Sequence, residues 1–448
     1  MGMDEGGQRR DVVIMGAGGR DFHNFNCLFR HRSDVRVLAF TATQIPFQQG
    51  RRYPAELAGS LYPQGIPIVA EDALPELLAE GGVEVFFSYS DICHQQLMTV
   101  ASRILALGGR FTLPAPNQTM LRARLPVLSV CAVRTGCGKS PVVRFLCHRL
   151  LSKGIRPVVV RHPMAYGDLT GRAVQHISSG GAADQQRWTL EEREEFEPLL
   201  KLGVEVFCGV DYEAVLAGAE EAGDLIVWDG GNNDTPFFHP DLELVLVDPL
   251  RAGDEVAYFP GQVNLRRARI LVVTKVDEAT PEQLERLRNS IRLCNPNARV
   301  VEGRLELSLD HPDRVRNQRV LVVEDGPTVT HGGMASGAGM VAAHRYGAAR
   351  VVDPRPAARG SLRDIYRQWP HLGAVVPAMG YSPQQLDDLR RTLEDTECDL
   401  VLSATPVDLS RLLGLNRPVE QVRYDFVECR EGQLADLVFK GLKSIRSR

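Results

Sequence analysis

Residues 127–147 read VLSVCAVRTGCGKSPVVRFLC. An apolar run meets a glycine turn, and a helix-forming stretch follows. The core, Val133 to Ser140, follows GxxxxGK[ST] except that Val133 stands where the first glycine belongs. Glycines at 136 and 138 let the amides of Thr135, Gly136, Cys137 and Gly138 turn inward around phosphate oxygens. The following helix aims its N-terminus at the same anion. Lys139 is expected on the β- and γ-phosphates of a nucleotide, and Ser140 on a bound Mg²⁺. A strand–loop–helix of this kind demands a parallel sheet.

Length, composition and charge narrow the class. The chain has 448 residues, enough for two or three domains. With 44% hydrophobic and 24% charged residues it has the mix of a folded globule. No apolar run is long enough to cross a membrane, and Met1–Arg10 lacks a signal-peptide h-region, so a cytoplasmic protein without membrane contact is expected. A net charge of −4 argues against a nucleic-acid partner. Nine cysteines without CxxC spacing argue against a disulfide framework or structural zinc. The 52 basic residues comprise 46 Arg and 6 Lys, and two of those lysines, Lys139 and Lys275, fall in nucleotide-binding patterns.

The expected fold class is α/β. A Rossmann-like parallel-sheet domain is expected over residues 10–122, from the glycine turn after Asp11–Met15 and the alternating strands and helices that follow. Pro114–Pro126 reads as a linker. A P-loop domain is expected over 126–318, with buried strands at Pro157–Arg161, Val204–Gly209, Leu225–Trp228, Leu242–Val247, Ile270–Thr274 and Arg299–Glu302. Residues 319–448 read as a C-terminal α/β segment that completes or flanks the P-loop sheet. The acidic stretch Leu190–Pro198 reads as a solvated helix.

Other polar groups gather at strand ends. Asp229 closes an apolar strand and is the candidate metal-side acid, with Asp168 a second; Asn232 and Asn233 follow Asp229 in a glycine turn. Thr274-Lys275-Val276-Asp277 looks like the [NT]KxD motif of G-protein-like folds, in which Asp277 would meet a guanine edge; relatives of that class bind ATP with similar loops, so the purine stays open. Arg161 and His162 leave the second strand of the P-loop unit, and Thr328 and His331 leave a later one; all four are expected to hold an anionic substrate. In the first domain, Arg20, His23 and Asn24 suit the same kind of ligand. The glycine turn there lacks the spacing of a dinucleotide fingerprint, and an oxidoreductase is disfavoured.

Arg134-Thr-Gly-Cys-Gly-Lys-Ser resembles the deviant phosphate loop of the SIMIBI class of NTPases, whose first basic residue reaches a partner's nucleotide across a dimer. The resemblance gives Arg134 a catalytic role beside Lys139 and Asp229, in cis or in trans, and implies a homodimer. The set GAGGRDFHNFN, FTATQIP, GRRYP, CAVRTGCGKS, VVRHPMAYGDL, WDGGNND, TKVD, VEDGPTVTHGGM and PAMGY resembles a family of predicted GTPases labelled cyclic 2,3-diphosphoglycerate synthetase-like, across nearly the whole chain. That family implies a ligase which uses ATP or GTP with Mg²⁺ to activate a small phosphorylated acid and close an intramolecular phosphoanhydride. The alternative is a regulatory NTPase switch of the SIMIBI class.

Overall fold

The computed structural model describes residues 9–42, 50–162, 168–179, 188–330, 332–380 and 382–446. His331 lies outside them. Two sheets with parallel cores organise the chain. The first runs, edge to edge, Arg52–Tyr53, Ile66–Ala70, Val35–Ala42, Arg10–Met15, Glu84–Phe87, Arg110–Thr112. Only the Arg52–Tyr53 edge pairs antiparallel; the rest of this sheet is parallel. Val12 and Ile14 bury into one face beside Phe22, Phe25 and Phe40, while Val13 and Met15 bury into the other beside Leu74, Val85 and Leu97. Helices cover both faces, so neither side of a strand carries polar alternation.

The second sheet begins with Val174–Ile177 and Glu205–Gly209 and continues through Pro157–Arg161, Leu225–Asp229, Val127–Ala132, Leu242–Val247 and Ile270–Val273 to Arg299–Leu309. All six residues of Val127–Ala132 are buried at its centre. The sheet does not stop there. It passes to Val419–Glu428, Leu400–Ser403, Arg319–Asp325 and Arg350–Val351, with Val376–Ala378 also on Arg319–Asp325.

The junction is the strand Arg299–Leu309. Its first residues pair parallel with Ile270–Val273, and from Gly303 onward it pairs antiparallel with Val419–Glu428. The strand expected over Arg299–Glu302 thus extends to Leu309. Beyond Gly303 the pattern is polar–apolar alternation, Arg304, Leu305, Glu306, Leu307, Ser308, Leu309, which is strand periodicity with one face buried. Gly303 lets the Phe426 ring lie against the backbone; a Cβ there would collide with it. One continuous sheet therefore carries both the phosphate loop and the C-terminal strands, and the space between its two parallel halves is where the site forms. No described helix is long and apolar enough to cross a membrane.

Candidate active site

The strand Val127–Ala132 delivers the loop, and the helix Lys139–Leu151 leaves it. Gly136 (φ 82°) and Gly138 (φ 90°) sit in the left-handed region, as the inward turn of the amides requires. Thr135, Gly136, Gly138, Lys139 and Ser140 line a cleft of about 320 Å³, while Cys137 is buried behind it. Lys139 Nζ donates to the Asn232 carbonyl at 2.6 Å. Asn232 (φ 41°) also accepts the Thr135 hydroxyl at 3.0 Å, so the glycine turn after Asp229 and the phosphate loop are one hydrogen-bonded unit.

The Thr274–Asp277 segment meets the loop from below. Thr274 Oγ1 donates to the Cys137 carbonyl at 2.8 Å. Lys275 Nζ bonds the Gly136 carbonyl at 2.8 Å and Asp248 Oδ2 at 2.7 Å. Lys275 thus lines the cleft but is anchored to the loop it supports. Asp277 is exposed and does not line the cleft; its neighbour Glu278 does. The carboxylate expected to read guanine stands apart from the site.

Arg161 and Asp229 sit opposite each other on adjacent parallel strands and form a buried ion pair, 2% and 1% exposed. Arg161 also pairs with Glu195. Asp229 Oδ1 has no hydrogen-bond partner. A free carboxylate oxygen behind the loop, with the Ser140 hydroxyl on the cleft wall, fits a Mg²⁺ that takes its remaining ligands from phosphate and water. Among the described residues no cluster of three His, Cys, Asp or Glu groups forms an all-protein metal cage. His162 lines the cleft next to Gly231, where a Cβ would strike the imidazole. Burial first, then Arg161 and Lys139, hold its pKa well below the usual value, so it faces the cleft as a neutral ring.

Several expected ligands are elsewhere. Arg134 does not line the cleft. Its guanidinium pairs with Asp91 and Asp254, both at 2.7 Å, and lies 3.6 Å from the centre of the Tyr258 ring. All three partners are in this chain. Asp168 is exposed and accepts the Thr170 amide at 3.0 Å in its own turn. Asn233 is buried; it donates to the Val133 carbonyl at 3.0 Å and accepts the Asp91 amide at 2.8 Å, a brace and not a substrate group.

Arg20, His23 and Asn24 form the seam between the two sheets. Arg20 donates to the Thr235 carbonyl and lies over Phe237. His23 stacks on Phe237 at 4.0 Å and bonds the Thr119 carbonyl at 2.6 Å. Burial, with Arg20 adding repulsion, lowers the His23 pKa to about 3, so it carries no charge for an anion. Asn24 donates to Ser88 Oγ at 2.9 Å. These residue types promised anion binding, but burial spent them on packing.

The facing wall of the cleft was missed. Glu191, Glu195, Glu324, Asp325, Thr328 and Tyr424 line it. The acidic helix Leu190–Lys201 is not solvated: Glu192 and Glu194 are buried, and Glu192 pairs with Arg172. Thr189 and Glu192 form a capping box that was readable in the sequence; which face turned inward was not. Glu324 is held by the amides of Gly337, Gly339 and Met340. Asp325 takes the Thr328 amide and hydroxyl. Burial raises the pKa values of Glu194, Glu195, Glu324 and Asp325. The segment around Glu324–Thr330, expected to approach an anion, presents carboxylates.

No family model matches the chain. It is 46% identical over 438 residues to the arginine synthetase ArcE of Thermococcus kodakarensis, covering 98% of each chain. It is 24% identical over 256 residues to the cyclic 2,3-diphosphoglycerate synthetase of the same organism, covering 51% of this chain and 58% of that one. Among solved structures, LpxK from Aquifex aeolicus in complex with ATP is 15% identical, with a TM-score of 0.40 over 72% of this chain and 90% of that chain. Similarity at this level along the full length settles the relationship: the chain belongs to the family of the arginine synthetase ArcE and is a synthetase.

Proposed function

We propose that this synthetase uses ATP to close the final C–N bond of arginine or of a closely related guanidino amino acid. The observation that carries the reading is the polarity of the cleft. One wall offers the loop amides, Lys139 and Lys275; the other offers Glu191, Glu195 and Asp325. A substrate with a phosphate at one end and a cationic or amine nitrogen at the other matches both. A small phosphorylated acid carries its charge with the wrong sign for the second wall, and the relative that bears such a name covers only 51% of this chain. ATP is the proposed donor because Asp277, the guanine-selecting carboxylate, is exposed and outside the cleft lining.

The chemistry follows from the product. A guanidino carbon made by a synthetase starts as a carbon bearing oxygen, as in a ureido group. Transfer of the γ-phosphoryl to that oxygen releases ADP and makes a leaving group. A nitrogen lone pair then forms the C–N bond, the C–O bond breaks, and inorganic phosphate departs with its electron pair. The loop amides and Lys139 bind the triphosphate and neutralise charge as it develops, which is where most of the rate of phosphoryl transfer arises. Ser140 and Asp229 would hold Mg²⁺, which supplies charge neutralisation at the β- and γ-phosphate oxygens. The acidic wall orients the cationic end of the acceptor.

The test is a product assay. The enzyme is incubated with ATP or GTP, ureido amino acids and a panel of amines and ammonium, in parallel with 2,3-diphosphoglycerate. ADP, phosphate and arginine appearing together support the reading. Nucleotide turnover that depends on 2,3-diphosphoglycerate instead, with no guanidino product, overturns it.

A further inference from the structure

We propose that Glu195 is the proton acceptor for the nitrogen nucleophile in the C–N bond-forming step, held in place by Arg161. The inference rests on the functional reading above and assigns a residue to the half of the reaction that the phosphate loop cannot perform.

Geometry favours Glu195 over Glu324, Asp325 and Asp229. Glu324 spends its oxygens on three backbone amides. Asp325 caps the short helix Gly326–Val329 through Thr328. Asp229 is 1% exposed, one side chain behind the cleft. Glu195 lines the cleft with its side chain 24% exposed and one oxygen, Oε2, on Arg161. Arg161 is itself fixed, because its other terminal nitrogen holds Asp229. The guanidinium therefore aims Glu195 and is not free to neutralise a substrate.

Glu194, the residue before Glu195 on the helix, is 6% exposed, hydrogen-bonds Thr405 and Asp325, and does not line the cleft. Glu195 faces Arg161 from the strand Pro157–Arg161, Asp229 from its neighbour, Asp325 from the C-terminal half, Tyr424 from the adjoining strand, and Glu191 and Glu194 on its own helix. Burial against Arg161's attraction leaves its pKa raised to about 7, in the range a general base needs at neutral pH.

The step balances as follows. A carboxylate oxygen of Glu195 takes one proton from the protonated nitrogen and exposes its lone pair. That pair forms the bond to the activated carbon while the C–O pair leaves with phosphate. The proton then passes to phosphate or water.

The experiment compares wild type, Glu195→Gln and Glu195→Asp, reading arginine and ADP separately against pH with ATP, a ureido amino acid and ammonium. Glu195→Gln is expected to lower arginine formation about 100-fold or more while ADP formed in the first turnover falls less than about threefold, the activated intermediate then waiting on the enzyme or losing its phosphoryl group to water. The acidic limb of the wild-type arginine profile, near pH 7, should vanish in that variant, and Glu195→Asp should recover part of the rate. Arginine formation at the wild-type rate in Glu195→Gln overturns the assignment, as does an equal loss of both products or a retained acidic limb. Wild-type enzyme that makes no arginine overturns the functional reading and the assignment with it; wild-type arginine with an unaffected variant overturns the assignment alone.

Discussion

Asp91 accepts the hydroxyl of Thr135 at 2.6 Å, which ties the loop after the first sheet's strand Glu84–Phe87 to the phosphate loop of the second. The same carboxylate holds Arg134 at 2.7 Å, and the two-residue strand Ile92–Cys93 that follows pairs with Tyr258–Phe259. The N-terminal unit, whose own glycine turn is closed by Asp21, therefore acts on the site by bracing it. The loop enters the nucleotide complex already shaped, and that is what a positioning element contributes to phosphoryl transfer.

Replacing Asp91 with Ala removes the acceptor for Thr135 and the partner of buried Arg134. Nucleotide affinity should fall about 10-fold or more, since a hydrogen bond to a charged group contributes roughly 1.5–3 kcal/mol. Asp91→Asn should lose less. Calorimetric titration with a non-hydrolysable ATP analogue measures both; unchanged affinity in Asp91→Ala would contradict the bracing role.

Lys139→Ala should lower turnover by at least about 10³-fold, because the ammonium neutralises charge that peaks in transfer. The variant should stay folded, since Lys139 makes its bond to the exposed edge of the Asn232 turn. Steady-state ADP release beside a thermal melt separates the two effects. Retained full turnover would refute the loop's assignment.

Arg161→Met leaves Asp229 and Glu195 without their cation. Removing one member of a buried pair costs about 3–5 kcal/mol. Combining it with Asp229→Leu should recover much of that stability, because the fully buried carboxylate is gone and the one left behind, Glu195, is 24% exposed, while activity remains lost. Urea unfolding of both single variants and the double variant gives the coupling directly. Simple additivity would show that the pair is not coupled.

Acid should loosen the seam. The folded His23 pKa is lowered to about 3 against an ordinary value of 6.5, so the unfolded chain binds the extra proton between those limits. Stability from the neutral ring is present above about pH 6.5 and is lost as pH falls toward 3, by up to roughly 5 kcal/mol. Asp21, raised to about 6 by burial, acts in the opposite sense and loses its contribution as pH rises from 3.8 to 6. Urea midpoints of His23→Gln and wild type should therefore converge between pH 7 and pH 5. A constant gap would place the His23 contribution in packing alone.

Much of the site's skeleton was legible locally. The phosphate loop, the strand ending in Asp229 and the strand before Lys275 each declare themselves within about ten residues, because backbone geometry and apolar runs are short-range properties. The acidic helix was legible as a helix from its capping box, yet its burial was not, since Arg172, Asp325 and Tyr424 reach it from other parts of the chain. Arg134 shows the same limit: its partners Asp91 and Asp254 flank it at long separations and outcompete any phosphate.

The amino-acid order alone determined that a parallel sheet would present a phosphate loop, because glycine placement and apolar periodicity act between neighbours. Only the tertiary structure decided what faces that loop. The antiparallel turn of the sheet at Gly303 brings Asp325 to the cleft that Lys139 and Glu195 line, and the free energy of a charge depends on which distant groups exclude water from it or share it.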